Sequence, residues 1–191
     1  SADAAAALRL MADAAGLEDH RLLEDIAAGL GSDVPSQVRG GLTLATGEGT
    51  RLRQLALELE YSVIVLPLDA KLPTAAVYAE ADRLGIPRDS LGLARSLTRM
   101  QASISSETIL EHVGNDLQDA ARSLCPAIDG TLEAALAAGA DHALVAGSGP
   151  TVLAMFSGVG HHERAATAHA ALAGEGRMPA PILAQPAGPI V

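Results

Sequence analysis

Asp33 stands in Leu30-Gly31-Ser32-Asp33-Val34-Pro35, directly after an apolar run and ahead of Gly40-Gly41 and a second apolar run. A carboxylate at such a turn has two uses. It can cap a short helix whose first turn holds Pro35, accepting hydrogen bonds from backbone N–H groups. It can also be held ionised there, next to the positive end of the helix dipole, and act on a bound ligand as a base or an orienting group. The local pattern alone favours the cap. Two further stretches carry residue types of the same kind. Ser1-Ala2-Asp3-Ala4-Ala5-Ala6 begins a helix on small residues, with a capping serine and an early acid. Gly147-Ser148-Gly149-Pro150-Thr151 is a glycine turn between two apolar runs. Taken singly, that turn reads as a tight turn more readily than as a ligand loop.

The whole-chain properties narrow the chemistry. Hydrophobic residues make up 49% of the 191 positions and charged ones 19%, which excludes a disordered chain. Aromatics are scarce: Phe156, Tyr61 and Tyr78, with no tryptophan, so the core rests on Ala, Leu and Val. The formal net charge of −10 argues against nucleic acid or an anionic membrane as the main partner. It leaves phosphate ligands open, because helix N-termini and Mg²⁺ bind phosphate without a basic surface. Cys125 is the single cysteine, so no internal disulfide forms, and a reducing compartment is expected. No apolar run approaches the ~20 residues of a membrane span, and the chain reads as cytoplasmic. The six histidines show no metal-ligand spacing with cysteine or acids.

The elements that must position these residues follow from periodicity and punctuation. A first helix runs from Ser1 to Gly16, and a second covers Asp19 to Ala28 with Leu22, Leu23 and Ile26 on one face. Gly41–Thr46 and Thr50–Leu55 form a hairpin around Gly47-Glu48-Gly49. Tyr61–Pro67 is a β-branched strand. Thr74 caps a helix carried on to Leu84, and Pro87–Ser106 predicts another. Asn115-Asp116 caps a helix over Leu117–Leu124, and Pro126 starts one that Gly139 ends. Strands at Asp141–Ala146 and Thr151–Phe156 flank the glycine turn, and a helix from His161 to Leu172 precedes a last strand near Ile182–Gln185. The sum is an α+β chain: an antiparallel sheet with helices on one face. A change of composition near Leu57–Glu60 divides it into residues 1–58 and 59–191.

Ser1-Ala2-Asp3-Ala4-Ala5-Ala6, Gly31-Ser32-Asp33-Val34-Pro35 and Gly147-Ser148-Gly149-Pro150-Thr151, in this order, resemble the GHMP small-molecule kinases. Pro73-Thr74-Ala75-Ala76-Val77-Tyr78, Gly114-Asn115-Asp116-Leu117 and the closing Gly188-Pro189 extend the resemblance over essentially the whole chain. Within the family it is similar to the cytidine-using branch. The resemblance implies residues 1–58 as the remainder of an N-terminal ATP-binding domain like ribosomal S5 domain 2. Residues 59–191 would be a ferredoxin-like C-terminal domain. It implies ATP-dependent, Mg²⁺-assisted phosphorylation of a hydroxyl on a cytidine-diphosphate-linked methylerythritol, a step of non-mevalonate isoprenoid biosynthesis.

The same resemblance implies the roles. Asp33 is the catalytic carboxylate acting on the acceptor hydroxyl. Ser1 and Ala2 close the phosphate loop, with Ser1 near ATP and its Mg²⁺. Gly147, Ser148 and Gly149 shape the nucleotide site, Thr74 sits near the acceptor, and Tyr78 stacks on the cytosine ring. It further implies an upstream segment with a lysine paired to Asp33, without which this chain alone is inactive. Ala146 stands where Ser or Thr is common in the family, and Ser36 where an aromatic is common. A homodimer is compatible with the pattern. The alternatives are a homoserine or mevalonate type of GHMP kinase, or a non-catalytic ferredoxin-like ligand-binding module. Only the cytidine-using branch needs an aromatic such as Tyr78 after Pro73.

Overall fold

A computed structural model describes residues 1–55, 60–86, 92, 94–95, 97–98, 113–176 and 179–185. The helix predicted over Pro87–Ser106 falls almost wholly outside the described residues. The chain divides into two compact units, Ser1–Glu58 and Leu59–Gln185. Among the described residues no helix is long and apolar enough to cross a membrane.

The first unit is three helices and a hairpin. Helix α1 (Ala2–Ala15) buries Ala5 and Ala12, and Gly16 ends it in the left-handed region at φ 63°. The serine cap expected at its start is not made: Ser1 occupies the cap position, but its side chain accepts no cap hydrogen bond. Helix α2 (His20–Ala28) lies where predicted, and Asp19 caps it: its carboxylate accepts from the Arg21 and Leu22 N–H groups at 3.0 and 3.1 Å. Its buried stripe is Leu23 and Ala27. Leu22 and Ile26, expected on the same face as Leu23, are each 44% exposed, because the stripe that packs runs i, i+4 from Leu23. Helix α3 (Val34–Arg39) is short and buries Val34, Pro35 and Val38.

Two arginines tie α3 in place. Arg9 of α1 donates to the Gln37 and Val38 carbonyls. Arg39 makes a bidentate pair with Glu24 of α2, at 2.6 and 2.5 Å, and donates to the Leu52 carbonyl at 3.1 Å. Strands β1 (Thr43–Thr46) and β2 (Arg51–Gln54) form the predicted antiparallel hairpin, with Thr43 opposite Gln54. Gly49, at its turn, has φ 81°, and a β-carbon there would fall on the Ser32 carbonyl. The hairpin tip therefore packs against the backbone of the Asp33 turn, and glycine is what lets it approach.

The second unit is a four-stranded sheet in the order β4-β5-β3-β6, antiparallel throughout. Its strands are β3 (Tyr61–Leu66), β4 (His142–Val145), β5 (Val152–Ser157) and β6 (Ile182–Ala184). Period-2 alternation places Ser62, Ile64 and Leu66 of β3 and Val152, Ala154 and Phe156 of β5 inward. Helix α6 (Ala127–Ala137) lays Ile128 and Ala135 into that core, and α7 (His161–Gly174) adds Ala165, Ala168 and Leu172. Helices α4 (Thr74–Leu84) and α5 (Gln118–Leu124) pair with each other and contribute Val77, Ala81, Ala120 and Ala121. The outward positions of β3 and β5 are only half-buried, so the helices lie on one face. A strand, helices, two hairpin strands, a helix and a last strand, in this sheet order, make a ferredoxin-like domain. Ser62 is fully buried and satisfied by His161 Nδ1 at 2.9 Å.

Candidate functional site

Asp33 sits at the N-cap position of α3, exposed, and its carboxylate accepts no cap hydrogen bond. Its φ of −91° and ψ of −16° are nearly helical, and this turns the side chain off the first-turn N–H groups. The Ser36 hydroxyl instead donates back to the Asp33 carbonyl at 2.9 Å. The cap reading of Asp33, favoured by the local pattern, is thus not realised. Ser1 and Ala2 are also exposed, at the head of α1, where the Ser1 side chain makes no cap hydrogen bond to the first-turn N–H groups. Helices α1 and α3 pack on each other, but no hydrogen bond or ion pair joins Ser1 to Asp33 among the described residues.

In the second unit the structure brings several predicted residues together. The turn Gly147-Ser148-Gly149-Pro150 connects β4 to β5, with Gly147 at φ 55° and Gly149 at φ 78°. A β-carbon on Gly149 would lie 3.0 Å from Val145 Cγ1, tighter than an ordinary contact, so crowding adds to the conformational demand for glycine. Thr74 does not cap α4, as its sequence position predicts: Pro73 holds the cap position and Thr74 is the first helical residue. From there its hydroxyl reaches the Ser148 hydroxyl at 3.0 Å. Tyr78 follows one turn later on the same side of α4 and is 57% exposed.

Asn115 was read from the sequence as a helix cap. In the structure its Nδ2 donates to the Val145 and Gly147 carbonyls at 2.8 and 2.6 Å, while its Oδ1 accepts from the Leu117 N–H at 2.9 Å. The Gln118 Oε1 accepts from the Val145 N–H at 3.0 Å. The carbonyls of Val145 and Gly147 are engaged in this way. The N–H groups of Gly147 and Ser148 take no backbone partner among the described residues. The only sequence sign of this arrangement was the Gly114-Asn115 pair ahead of a helix, and it gives no hint of a partner some thirty residues away.

Helix α4 is fixed from its other side. Glu80 accepts from Arg83 at 2.7 Å and from the Ser123 hydroxyl of α5 at 2.5 Å. The hydrogen bonds from Arg83 and then Ser123 hold its carboxyl down to about 2. At the far end of the β4–β5 hairpin Arg164 pairs with both oxygens of Asp141 at 2.9 Å, which holds that carboxyl below the usual range.

Comparison with known proteins agrees with this architecture. A family model described as the C-terminal domain of GHMP kinases matches residues 88–176. The chain is 42% identical over 179 residues to the 4-diphosphocytidyl-2-C-methyl-D-erythritol kinase of Salinispora tropica, covering 90% of this chain and 56% of the relative. It is 44% identical over 154 residues to the protein of that name from Streptomyces avermitilis, covering 79% and 52%. Among solved structures it is similar to a 4-(cytidine 5'-diphospho)-2C-methyl-D-erythritol kinase, with 27% identity and a TM-score of 0.54 over 78% of this chain and 53% of that one. A homoserine kinase from Cytophaga hutchinsonii, at 18% identity and a TM-score of 0.54 over 82% and 51%, shares the fold alone. The chain spans about half the length of the curated relatives it matches. A ferredoxin-like unit with a glycine turn, and about 40% identity to several proteins of one name, lead to one assignment: the chain belongs to the GHMP kinase family.

Proposed function

We propose that the chain serves ATP-dependent phosphorylation of a hydroxyl of 4-diphosphocytidyl-2-C-methyl-D-erythritol, in non-mevalonate isoprenoid biosynthesis. The observation that carries this reading is 42% identity, over nine-tenths of the chain, to a relative named for that kinase. The local geometry fits it. Asp33 is exposed and capped to nothing, which leaves its carboxylate available to orient an acceptor hydroxyl and receive its proton. The head of α1 at Ser1 and Ala2, without a side-chain cap, and the N–H groups of Gly147 and Ser148, without a backbone partner among the described residues, are donors of the kind that phosphate oxygens accept from. Ser1 is the residue for a Mg²⁺ contact made through ATP. Thr74 offers a hydroxyl beside Ser148, and Tyr78 an exposed ring for a cytosine base.

When bound, ATP supplies the transferred phosphoryl group and Mg²⁺ screens its charge, so the protein's task is positioning. In this reading residues 1–58 are the remainder of the ATP-binding domain and residues 59–191 the C-terminal domain, in a cytoplasmic enzyme able to form a homodimer. The test is transfer of phosphate from ATP to the purified cytidine-linked substrate by the full-length polypeptide, with homoserine and mevalonate as competing acceptors. Turnover on either of those in preference to the cytidine substrate would overturn the assignment.

A further inference from the structure

Asn115 has no part in the roles assigned above, yet both N–H groups of its amide and its carbonyl oxygen are engaged, the N–H groups on the turn that carries Ser148. The Gly147–Ser148 peptide is trans, so its C=O and N–H point in opposite directions. Fixing the Gly147 carbonyl on Asn115 therefore aims the Ser148 N–H away from Asn115. The neighbouring anchor shows the same geometry. The Val145 carbonyl goes to Asn115, and the Ala146 N–H beyond it faces away, onto the Thr151 carbonyl at 2.8 Å. The Ala146 N–H thus has a partner on the returning chain, whereas the Ser148 N–H has no backbone partner among the described residues. Gln118 accepts from the Val145 N–H on the same strand edge, so the two residues pin the end of β4 and the turn together.

We propose that Asn115 is a positioning residue that orients the Gly147–Ser148 peptide so that the Ser148 N–H faces a nucleotide phosphate. This rests on the reading of the turn as part of a nucleotide site. Aspartate in its place would set an oxygen against both carbonyls and release the peptide. The experiment follows the Ser148 amide by ¹⁵N NMR in the full-length polypeptide during titration with Mg²⁺ and the β,γ-imido analogue of ATP, with affinity from calorimetry. In the wild type the Ser148 amide shifts on titration. In Asn115→Asp it is already displaced without nucleotide, and the dissociation constant rises about tenfold. Arg164→Ala, which loosens the Asp141–Ser157 clamp at the other end of the same hairpin, lowers the thermal midpoint but leaves that constant unchanged. If the aspartate variant fails to fold, Asn115→Ser, which keeps a donor for one carbonyl, gives an intermediate affinity. A wild-type shift combined with wild-type affinity in Asn115→Asp and Asn115→Ser overturns the positioning role alone. Equal losses of affinity in Asn115→Asp and Arg164→Ala also overturn it, since any destabilisation of the hairpin would then suffice. A Ser148 amide that does not move in the wild type overturns the nucleotide reading itself, and the role of Asn115 with it.

Discussion

At Asp33 the two uses of a turn carboxylate make opposite predictions for stability, and the structure chooses between them. A working N-cap is worth about 1 kcal/mol on replacement by alanine. Asp33 makes no cap hydrogen bond, so Asp33→Ala should change unfolding free energy by less than about 0.5 kcal/mol. If its task is instead to orient the acceptor, Asp33→Asn should reduce phosphoryl transfer by on the order of a thousandfold or more and leave ATP affinity within about twofold. Denaturant titration and a kinase assay on the same variants separate the cases. A large stability loss with transfer intact would return Asp33 to a structural role. The two glycines of the β4–β5 turn differ in the same concrete way. Gly147 and Gly149 both have positive φ, but only at Gly149 does a β-carbon meet a neighbour, Val145 Cγ1 at 3.0 Å. Gly147→Ala should cost about 1 kcal/mol from backbone strain alone, and Gly149→Ala about 2–3 kcal/mol with the added overlap. Equal costs in thermal melts would show that the space around Gly149 is not what demands glycine there.

At the scale of elements, α4 carries Thr74 and Tyr78, and Glu80 pins it to α5. Its folded-state carboxyl is lowered to about 2 from an ordinary value of 4.5. A depressed carboxyl stabilises the fold above its unfolded value, and that contribution is lost as pH falls through the folded one. The thermal midpoint should therefore drop between about pH 4.5 and 2, and Glu80→Gln should lower the midpoint above pH 5, converge on the wild type near pH 2 and so flatten part of that drop. A variant with the wild-type pH profile would show that the Arg83 and Ser123 contacts do not hold the helix pair. The elements themselves were largely legible. The strands at Tyr61–Pro67 and Thr151–Phe156, the helix over Asp19–Ala28 and the helix end at Gly16 are local properties, and local properties are what periodicity and turn chemistry report. The contacts were not. The hydroxyl of Thr74, expected on its own helix, reaches Ser148, and Asn115, expected at a cap, does accept from the Leu117 N–H at the head of α5 but also donates to a turn 32 residues away. Leu22 and Ile26 looked like core and are half-exposed, because which stripe of α2 is buried depends on where α3 and α1 lie against it. The candidate residues themselves came from resemblance. No single spacing marked Asp33 or Gly147 out from an ordinary turn.

At the scale of the whole chain, the two units differ in what they bury. The first unit's buried cluster is Ala5, Ala12, Leu23, Ala27, Val34 and Val38, mostly small side chains. Leu10, Met11, Leu22, Ile26 and Leu30 of the same unit are between 44% and 69% exposed. Among the described residues its sheet has two strands, and a lone hairpin contributes little on its own. The second unit buries Ile64, Leu66, Val77, Ile128, Phe156 and Leu172 against a four-stranded sheet. With stabilisation of about 25 cal/mol per Å² of apolar area, the unit with the larger side chains inside should open globally more rarely. Amide exchange at Leu44 and Arg53 should therefore run on the order of a hundredfold faster than at Ile64 and Ala154, each corrected for its intrinsic rate. Ligand addition should narrow the gap, since binding stabilises whichever unit contributes to the site. If the hairpin and the central strands exchange at the same corrected rate without ligand, the two units open together, and the area each buries does not set its stability.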